Sequence, residues 1–93
     1  AGLHSNDPIS QLAAVEQWLT QHGARPELLQ VAGRVCLRNK LWGKARSYLE
    51  AGLQAAPTPQ GYLDLARLCL DTQQPEEAAK YYRQGLELAT AAS

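Results

Sequence analysis

The sequence predicts an all-α fold, and three observations carry that expectation. Ala and Leu dominate, Phe and Met are absent and Ile9 is the only isoleucine, so the β-branched and aromatic residues that favour strands are scarce. Proline stands where helices start, at Pro8, Pro26, Pro59 and Pro75; its fixed φ suits the first helical position, and the N–H it lacks has no intrahelical partner there. Thirdly, the chain resembles itself when Arg34 is laid on Arg67, with small and apolar residues at helical spacing coming into register.

Five helices follow in order. Asp7-Pro8 reads as an N-cap followed by the first helical residue, opening a helix over 8–22. Leu12, Val15 and Leu19 form its apolar stripe, and Gly23 after His22 supplies a C-cap. Pro26-Glu27 opens the second helix, over 26–38, which stops where Arg38-Asn39-Lys40 places cations and Asn at the negative end of the helix dipole. The third begins near Leu41 or Trp42 and runs to 56. Thr58-Pro59 repeats the N-cap signature for a fourth over 59–71. The fifth covers 75–90, where Glu76 and Glu77 complement the dipole in the first turn.

The same register pairs Arg34 with Arg67, Cys36 with Cys69, Leu37 with Leu70, Ala45 with Ala78, Tyr48 with Tyr81, Gly52 with Gly85 and Leu53 with Leu86. Gly33 meets Ala66 and Leu49 meets Tyr82. At 100° per residue, Leu29, Ala32, Gly33 and Cys36 share one face of the second helix, and Ala45, Leu49, Gly52 and Leu53 share one face of the third. Small residues at Gly33, Ala66, Ala45 and Ala78 let paired helices approach closely. Each hairpin then has a second apolar face, which stacking covers. The expected organisation is a flexible leader over 1–7 and one domain over 8–93, made of the helix 8–22, a repeat over 26–57 and a repeat over 59–90.

With 93 residues, nine cationic against nine acidic side chains and no block of like charge, the chain fits one domain. Nothing favours binding to nucleic acid, which needs a cationic surplus. No apolar run is long enough for a membrane span and no signal-peptide pattern is present. Two Cys make no disulfide scaffold. The absence of Met, even at position 1, suggests a fragment of a longer protein, in which any targeting or membrane-anchoring segment lies outside this chain.

The motif W-x2-L-G-x2-Y, A-x3-F, P of tetratricopeptide repeats lies on both copies. The first reads Leu29-x2-Ala32-Gly33-x2-Cys36, then Ala45-x3-Leu49 and Pro57; the second reads Tyr62-x2-Leu65-Ala66-x2-Cys69, then Ala78-x3-Tyr82, with Thr90 replacing the closing Pro. The chain therefore resembles a tetratricopeptide-repeat protein. Through Arg25-Pro26-Glu27-Leu28-Leu29, Trp42-Gly43-Lys44-Ala45, Gln74-Pro75-Glu76-Glu77-Ala78-Ala79 and Arg83-x-Gly85-Leu86 it also resembles the C-terminal part of the HemY family of bacterial inner-membrane proteins associated with haem biosynthesis. The resemblance implies a right-handed superhelix of antiparallel helix pairs, two repeats plus one preceding helix, on the cytoplasmic side of a bacterial inner membrane. It further implies a non-catalytic scaffold that offers a concave groove to a protein or peptide, with tetrapyrrole-pathway enzymes as the partners.

The groove implied by the resemblance is lined by Gln30, Arg34, Leu37 and Arg38 from the first repeat and by Leu63, Arg67, Leu70 and Asp71 from the second. Two guanidinium groups beside Leu37 and Leu70 suit a carboxylate together with an apolar anchor. The plainer reading makes both arginines surface charges, paired with Asp64 or Asp71. The Lys and Asn set of repeats that bind chaperone tails is not at these positions.

No catalytic residue, metal site or cofactor is expected. His4 falls in the leader and His22 at a helix end, neither with a catalytic partner in view, and no C-x2-C or H-x3-H pair suits zinc. Cys36 and Cys69 occupy equivalent apolar positions and are assigned to packing. Haem or porphyrin binding is a remote alternative, because axial ligands in an apolar pocket are wanting. Trp18, Trp42 and Tyr82 are assigned to packing, with Tyr81 on the flank. A structural alternative is that the segment caps or self-associates a longer array, dimerising through its end helices.

Overall fold

A computed structural model describes residues 8–92, all of them in helices or short connections. Asp7, His4 and the leader expected over 1–7 lie outside the described residues. The architecture is all-α: α1 (Pro8–His22), α2 (Pro26–Arg38), α3 (Trp42–Ala55), α4 (Pro59–Asp71) and α5 (Pro75–Ala92). Adjacent helices pack, α2 on α3 and α4 on α5 most extensively, with α1 against α2 and α3 against α4 joining these pairs. Short connections make each main pair an antiparallel hairpin. The layers stack side by side, so the molecule measures 46 × 29 × 20 Å, and its radius of gyration of 14.0 Å exceeds the ~12 Å of a compact chain this long.

The helix starts follow the local chemistry read from the sequence. The Thr58 hydroxyl accepts a hydrogen bond from the Gly61 N–H at 3.0 Å and caps α4, with Pro59 next. Arg25 precedes α2 with extended backbone, and no side chain caps that helix; Pro26 alone sets its start. Gly23 closes α1 with φ +83°, a left-handed conformation that costs glycine little.

The two hairpins repeat in detail. After α2, Lys40 N–H donates to the Leu37 carbonyl at 3.1 Å and Leu41 N–H to the Cys36 carbonyl at 2.8 Å; after α4, Gln73 donates to Leu70 at 3.1 Å and Gln74 to Cys69 at 2.7 Å. Both are Schellman caps, with Lys40 and Gln73 left-handed at φ 61° and 62°. The Asn39 amide and Thr72 hydroxyl each donate back to the carbonyl four residues earlier, at 2.7 and 2.8 Å. Gly52 approaches the Pro26 carbonyl, and Gly85 the Pro59 carbonyl: a Cβ on either would lie 3.7 or 3.4 Å from that oxygen. Every member of these pairs stands in the register that lays Arg34 on Arg67.

The core runs through both hairpins. Cys36, Ala45, Leu49, Leu65 and Leu68 form its main cluster, and Ala66, Cys69 and Ala78 a second, bridged by half-buried Tyr81. Burial raises the pKa of both thiols, as apolar packing positions require. Two aromatic assignments are corrected. Tyr82 is 42 % exposed although its counterpart Leu49 is 2 % exposed, because α4 covers that face of α3 and no described helix covers the matching face of α5. Tyr81, beside the Tyr62 ring at 6.3 Å, does the packing expected of Tyr82. Trp18 is 57 % exposed, edge-on to His22 at 6.4 Å, and contributes little to the core. Trp42 is half-buried against the main cluster.

Polar ties join the layers. Glu16 on α1 accepts a 2.6 Å hydrogen bond from the Tyr48 hydroxyl on α3 and pairs with Lys44 at 3.4 Å. Arg46 on α3 pairs with Glu50 at 3.2 Å and donates to the Gln74 side chain, at the foot of α5, at 3.0 Å.

Candidate functional site

A concavity of about 680 Å³, open to solvent, lies between α2 and α4 and reaches the first residue of α3. Helical spacing accounts for its walls. Arg34, Leu37 and Arg38 repeat at three and four residues along α2, and Asp64, Arg67 and Asp71 along α4. Lys40, in the left-handed cap, and Trp42, opening α3, complete the lining.

Asp64 organises the floor. It is the one buried charged side chain among the described residues, 7 % exposed, and it accepts three hydrogen bonds. Arg34 Nε donates to Oδ2 at 3.0 Å, Gln30 to the same oxygen at 3.5 Å and Gln60 to Oδ1 at 3.1 Å. A carboxylate this sheltered is stabilised only by such donors. The Arg34 pair is made through Nε alone, which fixes the guanidinium plane and leaves its terminal nitrogens outside the pair.

The remaining charges are not balanced within the groove. Arg38, Lys40 and Arg67 make no ion pair among the described residues, and neither does Asp71. Arg38 suits the C-terminal end of α2 electrostatically, whereas Asp71 ends α4 against its dipole. With Arg34 matched by Asp64, three cations stand against one carboxylate beside the apolar surfaces of Leu37 and Trp42.

Of the eight residues singled out from the sequence, five line this groove: Arg34, Leu37, Arg38, Arg67 and Asp71. Gln30 is not part of its lining: it donates to Asp64 and borders a smaller crevice. Leu63 and Leu70, 42 % and 48 % exposed, lie outside its lining. The sequence offers Asp64 only as a pairing option for the arginines, although a signal exists: its counterpart in the preceding repeat is the apolar Val31. Sequence reasoning also misses Lys40 and Trp42 as lining residues, because they enter through the cap that turns the chain from α2 into α3.

A second, smaller and mainly apolar crevice of about 180 Å³ lies near the start of α2, the end of α3 and the start of α4, beside Pro26, Leu53 and Gly61. Among the described residues no three His, Cys, Asp or Glu side chains gather as a metal site, and no described helix is long and apolar enough to cross a membrane. Comparison with protein-family models, curated proteins and solved structures finds no match.

Proposed function

We propose that the chain is a non-catalytic interaction module which holds an acidic segment of a partner protein in the groove between α2 and α4. The observation that carries this reading is the charge imbalance of the groove: Arg38, Lys40 and Arg67 without carboxylate partners among the described residues, beside a pre-set Arg34 and the apolar Leu37 and Trp42. Arginine forks bind carboxylates in two-pronged fashion, and an apolar neighbour gives an anchoring side chain a place to bury.

The resemblance to tetratricopeptide repeats supports the same use of this face. The narrower resemblance to the HemY family directs the search to enzymes of haem and porphyrin synthesis at a bacterial inner membrane. Immobilised chain is to be compared with an Arg34→Ala, Arg67→Ala variant whose helical circular dichroism matches the parent. A tetrapyrrole-pathway protein captured by the parent and lost by the variant is the expected result. Equal capture by both, or by neither, overturns the reading.

A structural reading has one observation in its favour: Tyr82 and Leu86 on α5 are 42 % and 69 % exposed. On that reading the chain ends or self-associates a longer array, and sedimentation finds a dimer that Leu86→Ala dissolves.

A further inference from the structure

The internal repeat makes the chemistry of one existing interface a template for an uncovered one. Four of the residues through which α4 meets α2 and α3 share one face of that helix. Gly61 faces Leu53 so closely that an added Cβ would lie 2.7 Å from Leu53 Cδ2. Asp64 takes the Arg34 guanidinium at 3.0 Å. Leu65 and Leu68 enter the cluster with Leu49, and Leu37 packs against it.

Moved on by one repeat, the receiving side chains Leu53, Arg34, Leu49 and Leu37 become Leu86, Arg67, Tyr82 and Leu70. All four are exposed. The apolar ones are uncovered to 69 % at Leu86, 42 % at Tyr82 and 48 % at Leu70. Arg67 has no ion pair among the described residues, where its counterpart Arg34 has Asp64. The shared caps and glycine approaches show that the α4–α5 hairpin holds these residues as α2–α3 holds theirs.

We propose that the exposed side of the α4–α5 hairpin is a seat for one helix of a separate partner protein. That helix carries a small residue to face Leu86, a carboxylate three positions later for Arg67, and apolar residues four and seven positions after the small one for Tyr82 and Leu70. Such a helix reproduces the spacing of Gly61, Asp64, Leu65 and Leu68. Among the described helices α4 alone has that pattern, and its patterned face is already occupied by α2 and α3. A second copy of the folded chain therefore cannot supply it. The seat shares Arg67 with the groove, but Leu70, Tyr82 and Leu86 lie outside the groove's lining, so the inference does not rest on the groove reading.

The probe is a synthetic peptide with the sequence of residues 58–71 carrying Leu63→Glu and Arg67→Lys, whose side chains are condensed into a lactam that keeps it helical, titrated into the isotope-labelled full chain. Saturable binding with amide shifts at Arg67, Leu70, Tyr82 and Leu86 is expected. An Asp64→Asn change in the peptide should weaken binding roughly tenfold, since a hydrogen-bonded charge pair is lost. With an Arg67→Ala chain, the two peptides should bind equally. Absence of saturable binding, shifts confined to α2 and α3, or indifference to the peptide carboxylate each overturn the seat. Leu86→Ala, at an exposed position outside the groove, should abolish peptide binding while leaving capture of a groove partner intact; loss of both together overturns the assignment of two separate surfaces.

Discussion

At the scale of single residues, close approach and buried charge set the sharpest constraints. A Cβ on Gly33 would come within 2.5 Å of Leu49 Cδ2, and Leu49 is 2 % exposed with little room to turn away. Gly33→Ala should cost about 1–3 kcal/mol of stability in urea unfolding, as overpacking does. Gly43 meets nothing within 4 Å, so Gly43→Ala should be neutral or stabilise α3 by up to about 1 kcal/mol. Asp64→Ala leaves Arg34, Gln30 and Gln60 without their acceptor and should cost roughly 1–3 kcal/mol, with Asp64→Asn milder in the same assay. Gly33 is legible in the sequence as a contact point, because smallness at a repeated position is a local fact. Asp64 is legible only as a pairing option for the arginines and Glu16 not at all, since their Arg34, Tyr48 and Lys44 partners come from other helices. Each does sit where its counterpart in the neighbouring repeat is apolar, Val31 for Asp64 and Leu49 for Glu16, and that irregularity is the trace such a network leaves in a sequence.

Among the elements, α1 is held differently from the rest. α4 docks on α3 through Leu65 and Leu68 within the apolar cluster, whereas α1 adds to the packing of Leu12 against that cluster the polar tie of Glu16 to Tyr48 and Lys44. The Tyr48 hydrogen bond and Lys44 hold the Glu16 carboxyl below the usual carboxylate range despite partial desolvation, and burial with Glu16 nearby pushes the Tyr48 hydroxyl up to about 12. A depressed carboxylate pKa means that docking is strengthened above the unfolded value of about 4.3 and loses that contribution as pH falls through the folded value. Amide protection in α1, taken relative to the intrinsic exchange rate at each pH, should therefore fall on acidification from neutral pH toward pH 3, while α4 amides keep theirs. Glu16→Gln should show lower α1 protection already at neutral pH and little further change with acid. Helix starts are the most legible feature at this scale, because Pro59 after Thr58 and the prolines at 26 and 75 act locally. The left-handed caps are less so: Lys40 and Gln73 are not glycines, and the Schellman hydrogen bonds to Leu37, Cys36, Leu70 and Cys69 accompany their positive φ without a residue type that announces it.

For the molecule as a whole, stacking makes stability position-dependent. Cys36 lies in the cluster covered from both sides, and Cys69 in the one nearer the uncovered end. Both are buried, so each thiol reports opening of its own layer. In Cys36→Ser and Cys69→Ser chains, the remaining thiol should react with a disulfide reagent only after opening, Cys69 faster than Cys36; equal rates would mean the two hairpins open as one unit. The sequence pattern discloses which face of each helix is apolar, and with it most of the core. It does not disclose whether a neighbour is present, which is why Tyr82 reads as covered and Trp18 as packed.

The same stacking gives the molecule a direction. At one end, α1 turns Glu16, at the position that Leu49 holds on α3, inward to Tyr48 and Lys44, so that this junction carries a charged tie where the next is apolar. At the other, Tyr82, Leu86, Leu70 and Arg67 reproduce the surface on which α4 was laid. The two junctions of the stack thus differ in kind, and a helical partner built to the pattern of α4 should find its match on the α5 side of the described helices.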